Sequence, residues 1–509
     1  MPFATKRLLP ETVFNSGQLT DNLALKSIRG GISTVLSQSV LLVIYASGVM
    51  ILARLLTPRD YGIFGMAAGA VGFFALVKDA GLSAVTIQKE TVSREQVSNL
   101  FWLNSILGTL MGGLVLLSSP LIAAFFNRPE IAKIAALMSV SFVISGLMVQ
   151  HEALLRRHMR FDSLALVQIL SQLVGQGVTV ALALMGWHYW ALVVGSICAL
   201  LVSALATFWF CPWLPGFMSR GSGVRKMLKF GRDIVGFNFT SYFSKTADKM
   251  MIGKFIGADG LGLYSTAYTL FMMPITRIHA PMVQVAMPVL SSLQSQPKRY
   301  FNYYRRLVDI MMSVIAPVSL YCAVEAEFVI AVLLGPQWAA AVPIFRVLVV
   351  CSILQTVVGA AGLVQLSRGN SRRYFYWGGV NAVVLFLSVL AGLPFGIKGV
   401  AASYTLANIL LFFPTLIYCL RGSPVGVSGV LGAIKVPLAI GLTAFFSVYV
   451  VKMFVPIETA FSHVLMASLF SAVVLVLSII RKTVRETISM ALNSGFADIF
   501  GGSQSRNAP

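Results

Sequence analysis

From Ser163 to Ser219 the chain runs without a single Asp, Glu, Lys or Arg, and so do Gly30–Ala53, Gln96–Asn127, Tyr374–Ile397, Gly399–Leu420 and Thr459–Ile480. Crossing the hydrocarbon core of a bilayer takes ~20 apolar residues as a helix, because backbone polar groups in lipid must bond within their own segment. The runs therefore predict an all-α integral membrane protein with about fourteen transmembrane helices. Their expected positions are 31–55, 60–84, 97–126, 131–153, 162–185, 188–211, 232–256, 261–291, 303–333, 339–366, 374–395, 398–420, 429–453 and 459–480. Composition agrees: 57% of residues are apolar, 11% are charged, and mean hydropathy is +0.82. The long block 163–219 divides at "GWHYW" (Gly186–Trp190), whose aromatic residues suit an interfacial turn.

A formal net charge of +21 would ordinarily raise the question of nucleic acid. Its distribution answers otherwise. With an even number of spans, the N-terminal tail and every second loop hold 27 of the 39 Lys and Arg residues, including Arg156, Arg157 and Arg160, and Arg368, Arg372 and Arg373. The opposite side holds Arg54, Arg59, Arg128, Lys133, Lys254, Lys398 and Lys452. This is the positive-inside asymmetry, and it predicts cytoplasmic tails at 1–30 and 481–509. No nucleic-acid partner is expected. The first 30 residues are mostly polar and the apolar run after them is a full span, so no cleavable signal is expected. Five cysteines (Cys198, Cys211, Cys322, Cys351, Cys419) stand at irregular spacing in apolar segments, which argues for packing rather than disulfides or metal. No cofactor is implied.

Two stretches repeat each other. "ILARLLTPRDYGIFGMA" (Ile51–Ala67) and "MIGKFIGADGLGLYSTA" (Met251–Ala267) align without gaps at an offset of 200 residues, matching Arg54 to Lys254, Gly62 to Gly262 and Ala67 to Ala267. Each ends an apolar run with a cation, turns, and enters another apolar run through glycine. Six expected helices separate the copies, so both have one orientation, and a parallel repeat places two bundles about an axis along the membrane normal. The expected organisation is a first lobe at 31–211, a cytoplasmic linker rich in Pro, Gly and basic residues at 212–231, a second lobe at 232–420, and an appended helix pair at 421–480.

The two repeat segments, together with "DAGLSAVTIQKE" (Asp79–Glu90), "LIAAFFNRPEI" (Leu121–Ile131) and "PITRIHAPMVQVAMPVLSSLQ" (Pro274–Gln294), resemble the polysaccharide-transport, Wzx-type branch of the multidrug/oligosaccharidyl-lipid/polysaccharide (MOP) flippase superfamily. The resemblance covers roughly residues 25–485. It implies two lobes around a central cavity in the bacterial cytoplasmic membrane. It also implies translocation of a polyprenyl-pyrophosphate-linked oligosaccharide by alternating access, for exopolysaccharide, capsule or O-antigen synthesis. Membrane lipids and other polysaccharide-assembly membrane proteins are the further partners implied, and a functional monomer is expected.

Ionisable residues at membrane depth are costly and mark function by default. On the seventh expected span, Asn238, Ser241, Lys245, Asp248 and Lys249 recur at three-to-four-residue steps, which puts them on one helical face. Arg277 lies mid-way along the eighth span, and Lys78 and Asp79 lie on the second. Lys245, Lys249, Arg277 and Lys78 are the candidates for binding a pyrophosphate, since Arg offers a planar fork to phosphate oxygens and Lys a compact charge. Asp79 and Asp248 are candidate coupling or gate ion pairs. Asp248 with Lys245 could equally be a local pair. Gln168, Gln172 and Gln176 stand one turn apart on the fifth span, either lining a glycan path or bonding a neighbouring helix. Pro274, Pro281 and Pro288 allow kinks, and Glu325, Glu327 and Arg346 form an expected ion-pair group near the outer end of the second lobe.

"HEALLRRH" (His151–His158) has its histidines seven residues apart, whereas a zinc-protease helix needs them one turn apart. "GADGLG" (Gly257–Gly262) follows no strand, so a dinucleotide site is not expected. The cytoplasmic loops are too short for an ATPase domain, and an enzyme is not expected. A cation-coupled multidrug exporter of the same superfamily would carry a carboxylate on its first helix, and Gly31–Arg54 has none. A flippase for the peptidoglycan lipid precursor shares the helix count and remains the nearer alternative.

Overall fold

The computed structural model describes residues 23–75, 82–88, 92–218, 246–454 and 460–480, and every regular element among them is helical. The first eight helices are α1 (Leu23–Leu55), α2 (Pro58–Phe74), α3 (Leu82–Gln88), α4 (Arg94–Phe126), α5 (Glu130–Met138), α6 (Val140–Arg157), α7 (Phe161–Leu184) and α8 (Tyr189–Phe210). After a helical stretch at 246–255 come α9 (Ala258–Ser292), α10 (Pro297–Val324), α11 (Ala326–Leu333) and a 3-10 turn at Pro336–Ala341. The last five are α12 (Val342–Ser367), α13 (Ser371–Gly392), α14 (Gly396–Leu420), α15 (Val427–Phe454) and α16 (Ala460–Ile480). Among the described residues, nine helical stretches are long and apolar enough to cross a membrane, and one of these, 371–420, contains both α13 and α14.

Local chemistry sets the ends. Ser93 caps α4 in a reciprocal box with Gln96, which starts the helix ahead of the charge-free run. Gly186 and His188, both at positive φ (78° and 46°), turn the chain between α7 and α8. The span expected as 131–153 lies within the apolar stretch 130–157, where α5 runs into α6 through Ser139 in helical geometry, its N–H donating to Ala135 O at 3.0 Å. Two expected spans differ from the structure. The one expected as 303–333 is broken at Glu325 into α10 and α11. Of the span expected at 60–84, α2 ends at Phe74 and α3 is a separate short helix. The prolines of the eighth span do not interrupt α9, which continues as one helix through Pro274, Pro281 and Pro288.

The chain forms two compact units, the first from residues up to 266 with 330–341 and 382–400, the second from 267–329, 342–381 and 401 onward. In the first, α7 packs on α8, α4 on α6 and α1 on α7. Its core gathers Val97, Phe101, Leu154, Leu155, Phe210 and Trp213. In the second, α10 is the central helix, packed by α12 and α15. Tyr300, Tyr304, Met311, Met312 and Leu416 are buried there, and the Tyr300 hydroxyl is bonded to Ser367 Oγ at 2.7 Å. Many large apolar side chains remain exposed, among them Leu117, Leu121, Val383 and Leu410, as expected of helices whose solvent on that face is lipid.

Candidate functional site

The first repeat segment forms an elbow between α1 and α2. Thr57 caps α2, its Oγ1 accepting the Asp60 amide N–H at 3.3 Å while Asp60 Oδ2 accepts the Thr57 N–H at 2.9 Å. Asp60 is buried, and its Oδ1 also accepts the Tyr189 N–H at 3.1 Å, which ties the start of α8 to the elbow. The last carbonyls of a helix have no partner within it. Here Trp338 Nε1–H donates to Ala53 O at 2.8 Å, and the Gln337 amide donates to Ala53 O and, at 3.0 Å, to Leu56 O. Arg54 reaches the opposite way, to Val332 O at 3.1 Å, and the Tyr61 ring stands edge-on to Trp338. The 330–341 segment is thus bonded to the elbow by side chains from both sides.

The two repeat copies meet each other. A Cβ added to Gly62 would lie 1.8 Å from Ala258 O, and one added to Gly262 would lie 1.7 Å from Pro58 O. Pro58 and Ala258 are themselves equivalent at the 200-residue offset. Each copy therefore presses its glycine against the other's backbone at the equivalent carbonyl, the reciprocity that a two-fold relation requires. Only glycine permits this approach. The matched cations also have long-range contacts: Arg54 that to Val332, and Lys254 a position over the Phe125 ring at 5.3 Å.

Of the charged candidates, Asp248 and Lys249 lie half-buried on the 246–255 stretch, where Asp248 Oδ1 accepts the Lys249 amide N–H at 2.7 Å. Arg277 is carried by α9, but its side chain is not among those described. Lys78, Asp79, Asn238, Ser241 and Lys245 lie outside the described residues. On α7, Gln168 is exposed and Gln172 half-buried. Gln176 fills the space that Gly48 leaves on α1, where a Cβ would come within 1.8 Å of its Oε1. Gln176 therefore packs against α1 at Gly48.

The expected group of Glu325, Glu327 and Arg346 is divided in the structure. Arg346 pairs with Glu327 at 3.1 Å on the surface. Glu325 is fully buried at the break between α10 and α11, and it binds Lys452 Nζ at 2.8 Å and His463 Nδ1 at 2.9 Å. The His463 ring stacks on Phe328 at 4.2 Å. One carboxylate thus fastens α15 and α16 to the end of α10. The sequence signal for this triad was thin: Lys452 and His463 each stand near the end of an apolar span, far from Glu325 in the chain.

A family model described as "Polysaccharide biosynthesis protein" matches residues 51–343, a range that begins with the first repeat copy and contains the second. The chain belongs to this family. As one of these polysaccharide biosynthesis proteins, it is 26% identical over 345 residues to the teichuronic acid biosynthesis protein TuaB of Bacillus subtilis (strain 168), covering 67% of this chain and 71% of that one. It is 22% identical over 393 residues to the lipopolysaccharide biosynthesis protein WzxC of Escherichia coli (strain K12), covering 76% and 79%. It is 25% identical over 346 residues to the succinoglycan biosynthesis transport protein ExoT of Rhizobium meliloti (strain 1021), covering 68% and 70%. Among solved structures, the lipid II flippase MurJ in its inward closed conformation matches with a TM-score of 0.73 at 14% identity, over 91% of this chain and 100% of that one. An inward-facing multidrug resistance MATE family transporter of the MOP superfamily matches at 0.61 and 14% identity, over 78% and 96%. These likenesses establish the fold: this multi-pass, all-helical polysaccharide biosynthesis protein is built like MurJ and the MATE transporters.

Proposed function

We propose that this protein is a flippase that carries a polyprenyl-pyrophosphate-linked oligosaccharide from the cytoplasmic to the outer leaflet of the bacterial inner membrane by alternating access. The observation that carries the reading is the reciprocal crossing of the two repeat copies at Gly62 and Gly262. Two repeat copies that meet through a symmetric, backbone-to-backbone crossing have a pivot about which to rock, the motion by which inverted or parallel repeats expose a site to each side in turn. The relatives' names join lipopolysaccharide, succinoglycan and teichuronic acid synthesis, which differ in glycan. The common demand is passage of a charged, sugar-bearing lipid headgroup.

In this reading the lobes are 31–211 and 232–420, with 421–480 appended and both termini cytoplasmic. Lys245, Lys249, Arg277 and Lys78 meet the pyrophosphate, and Asp79 and Asp248 balance those cations when the site is empty. The protein acts as a monomer and performs no catalysis of its own, so the driving force is an ion gradient, the membrane potential, or consumption of the product.

The test is lipid extraction from protein purified in mild detergent, analysed by mass spectrometry beside Lys245→Ala and Arg277→Ala variants. A polyprenyl-pyrophosphate oligosaccharide is expected with the parent chain and depleted in both variants, whose membrane insertion is unchanged. A peptide-bearing lipid would instead assign the peptidoglycan precursor. Full translocation by the double variant would remove the cationic site.

A further inference from the structure

Between Glu327 and Glu458 the sequence contains no acidic residue, yet it holds eight Lys and Arg residues. Half of these converge at one end of the second unit: Arg368 in the loop between α12 and α13, Arg372 and Arg373 in the first turn of α13, and Arg421 in the loop between α14 and α15. Arg373 donates to Tyr418 O at 2.8 Å and to Arg421 O at 3.3 Å, and its guanidinium lies over the Tyr418 ring at 4.5 Å. Arg368 donates to Gly422 O. Arg372 and Arg421 are exposed, and Arg372 lies over the Tyr376 ring at 5.7 Å. Among the described residues none of the four pairs with a carboxylate.

Topology alone explains why this loop is basic, but not how it is built. A positive-inside bias is satisfied by Lys as well as Arg, and by side chains that wave in water. Here all four cations are arginine. Two are held against the carbonyls that end α14, where the helix dipole favours positive charge. Held in that way, Arg368 and Arg373 order the two loops and bring Arg372 and Arg421 into one patch. Tyr376, and Trp377 stacked on Tyr418 at 4.5 Å, put aromatic rings beside the patch, the combination found at headgroup depth. Planar forks matched to paired oxygens, aromatic anchors and an absence of acid describe a receptor for phosphate on a lipid.

We propose that Arg368, Arg372, Arg373 and Arg421 form a binding site for a lipid-borne phosphate at the membrane surface. The proposal does not depend on the cargo being a glycolipid. The phosphate has two sources, a bulk anionic phospholipid or a polyprenyl phosphate carrier, and the experiment separates them.

The full chain is delipidated in detergent, titrated with phosphatidylglycerol, phosphatidylethanolamine or a polyprenyl phosphate, and its bound lipid is counted by native mass spectrometry. An Arg372→Gln/Arg421→Gln variant removes the two arginines that cap no helix, so the loops keep their backbone bonds; an unchanged lipid-free melting temperature verifies this. Each surface cation contributes to anionic-lipid affinity, and the double variant is expected to lose roughly 30-fold in phosphatidylglycerol affinity. Arg372→Lys/Arg421→Lys is expected to fall between, because charge remains and the fork is lost. Stronger binding of the polyprenyl phosphate than of phosphatidylglycerol would name the carrier as the occupant, and the reverse would name bulk lipid. Equal binding by parent and double Gln variant, or no preference for phosphatidylglycerol over phosphatidylethanolamine with no polyprenyl phosphate bound, overturns the site.

Discussion

Gly62→Ala is the sharpest perturbation the structure offers. The new methyl would lie 1.8 Å from Ala258 O, whereas ordinary contact begins at 3.4 Å, so the crossing must open by the difference, 1.6 Å. The obstacle is backbone, and α2 is pinned by its Thr57–Asp60 box and by the Asp60–Tyr189 bond. Overpacking of this kind costs about 1–3 kcal/mol. Replacing a helical glycine by alanine also returns about 1 kcal/mol of propensity. Gly65→Ala is the internal control: it gains the same propensity, but its Cβ would meet Leu261 Cδ2 at an ordinary 3.5 Å. The difference between the two variants isolates the crossing. At about 2 kcal/mol it shifts the balance between crossed and separated forms about 30-fold. Spin labels at the exposed, repeat-equivalent positions Arg59 and Asp259 report that balance as a distance distribution. Gly62→Ala should move population to longer distances, Gly262→Ala should do the same, and Gly65→Ala should not. Identical distributions for Gly62→Ala and the parent would refute the claim that this contact holds the repeat copies together.

Glu325→Ala strands Lys452 and His463 without their anion. Breaking a buried pair costs 3–5 kcal/mol; with Lys452 still 23% exposed to solvent, about 2–3 kcal/mol is expected, read as a lower thermal midpoint in detergent. A Glu325→Gln/Lys452→Met pair, which removes both charges, should recover most of that loss. Gly48→Ala should lower stability because its methyl would overlap the Gln176 amide, and adding Gln176→Ala should restore it. If the double variant also transports normally, Gln176 packs helices; a selective loss of transport would return it to the glycan path.

The helices were largely legible because charge is so expensive in lipid that its absence marks each span. The expected 398–420 lies within Gly396–Leu420, and 97–126 within Arg94–Phe126, the extra turn coming from a Ser93 cap that hydropathy does not register. The break at Glu325 is not legible for the same reason: an interruption inside an apolar segment leaves mean hydropathy almost unchanged. Sequence proximity groups Glu325 with Glu327 and Arg346, whereas its partners lie 127 and 138 residues onward, a choice made by tertiary packing alone. The repeat was visible in sequence. That its two copies touch reciprocally was not, since spacing gives orientation but no contact. For the cationic site, Asp248 and Lys249 are the members whose side chains the structure describes, and the remainder of that reading rests on helical periodicity and membrane energetics.

The crossing has a consequence for how this chain can diverge. In most tight contacts a bulkier residue on one side can be accommodated by a smaller one opposite. Gly62 and Gly262 instead face main-chain oxygens, of Ala258 and Pro58, and no substitution shrinks a carbonyl. Second-site suppressors of a change at either glycine therefore cannot arise at the residue it strikes. They must come from positions that shift a whole helix, so the two glycines are fixed independently of each other even though they descend from one repeated pattern.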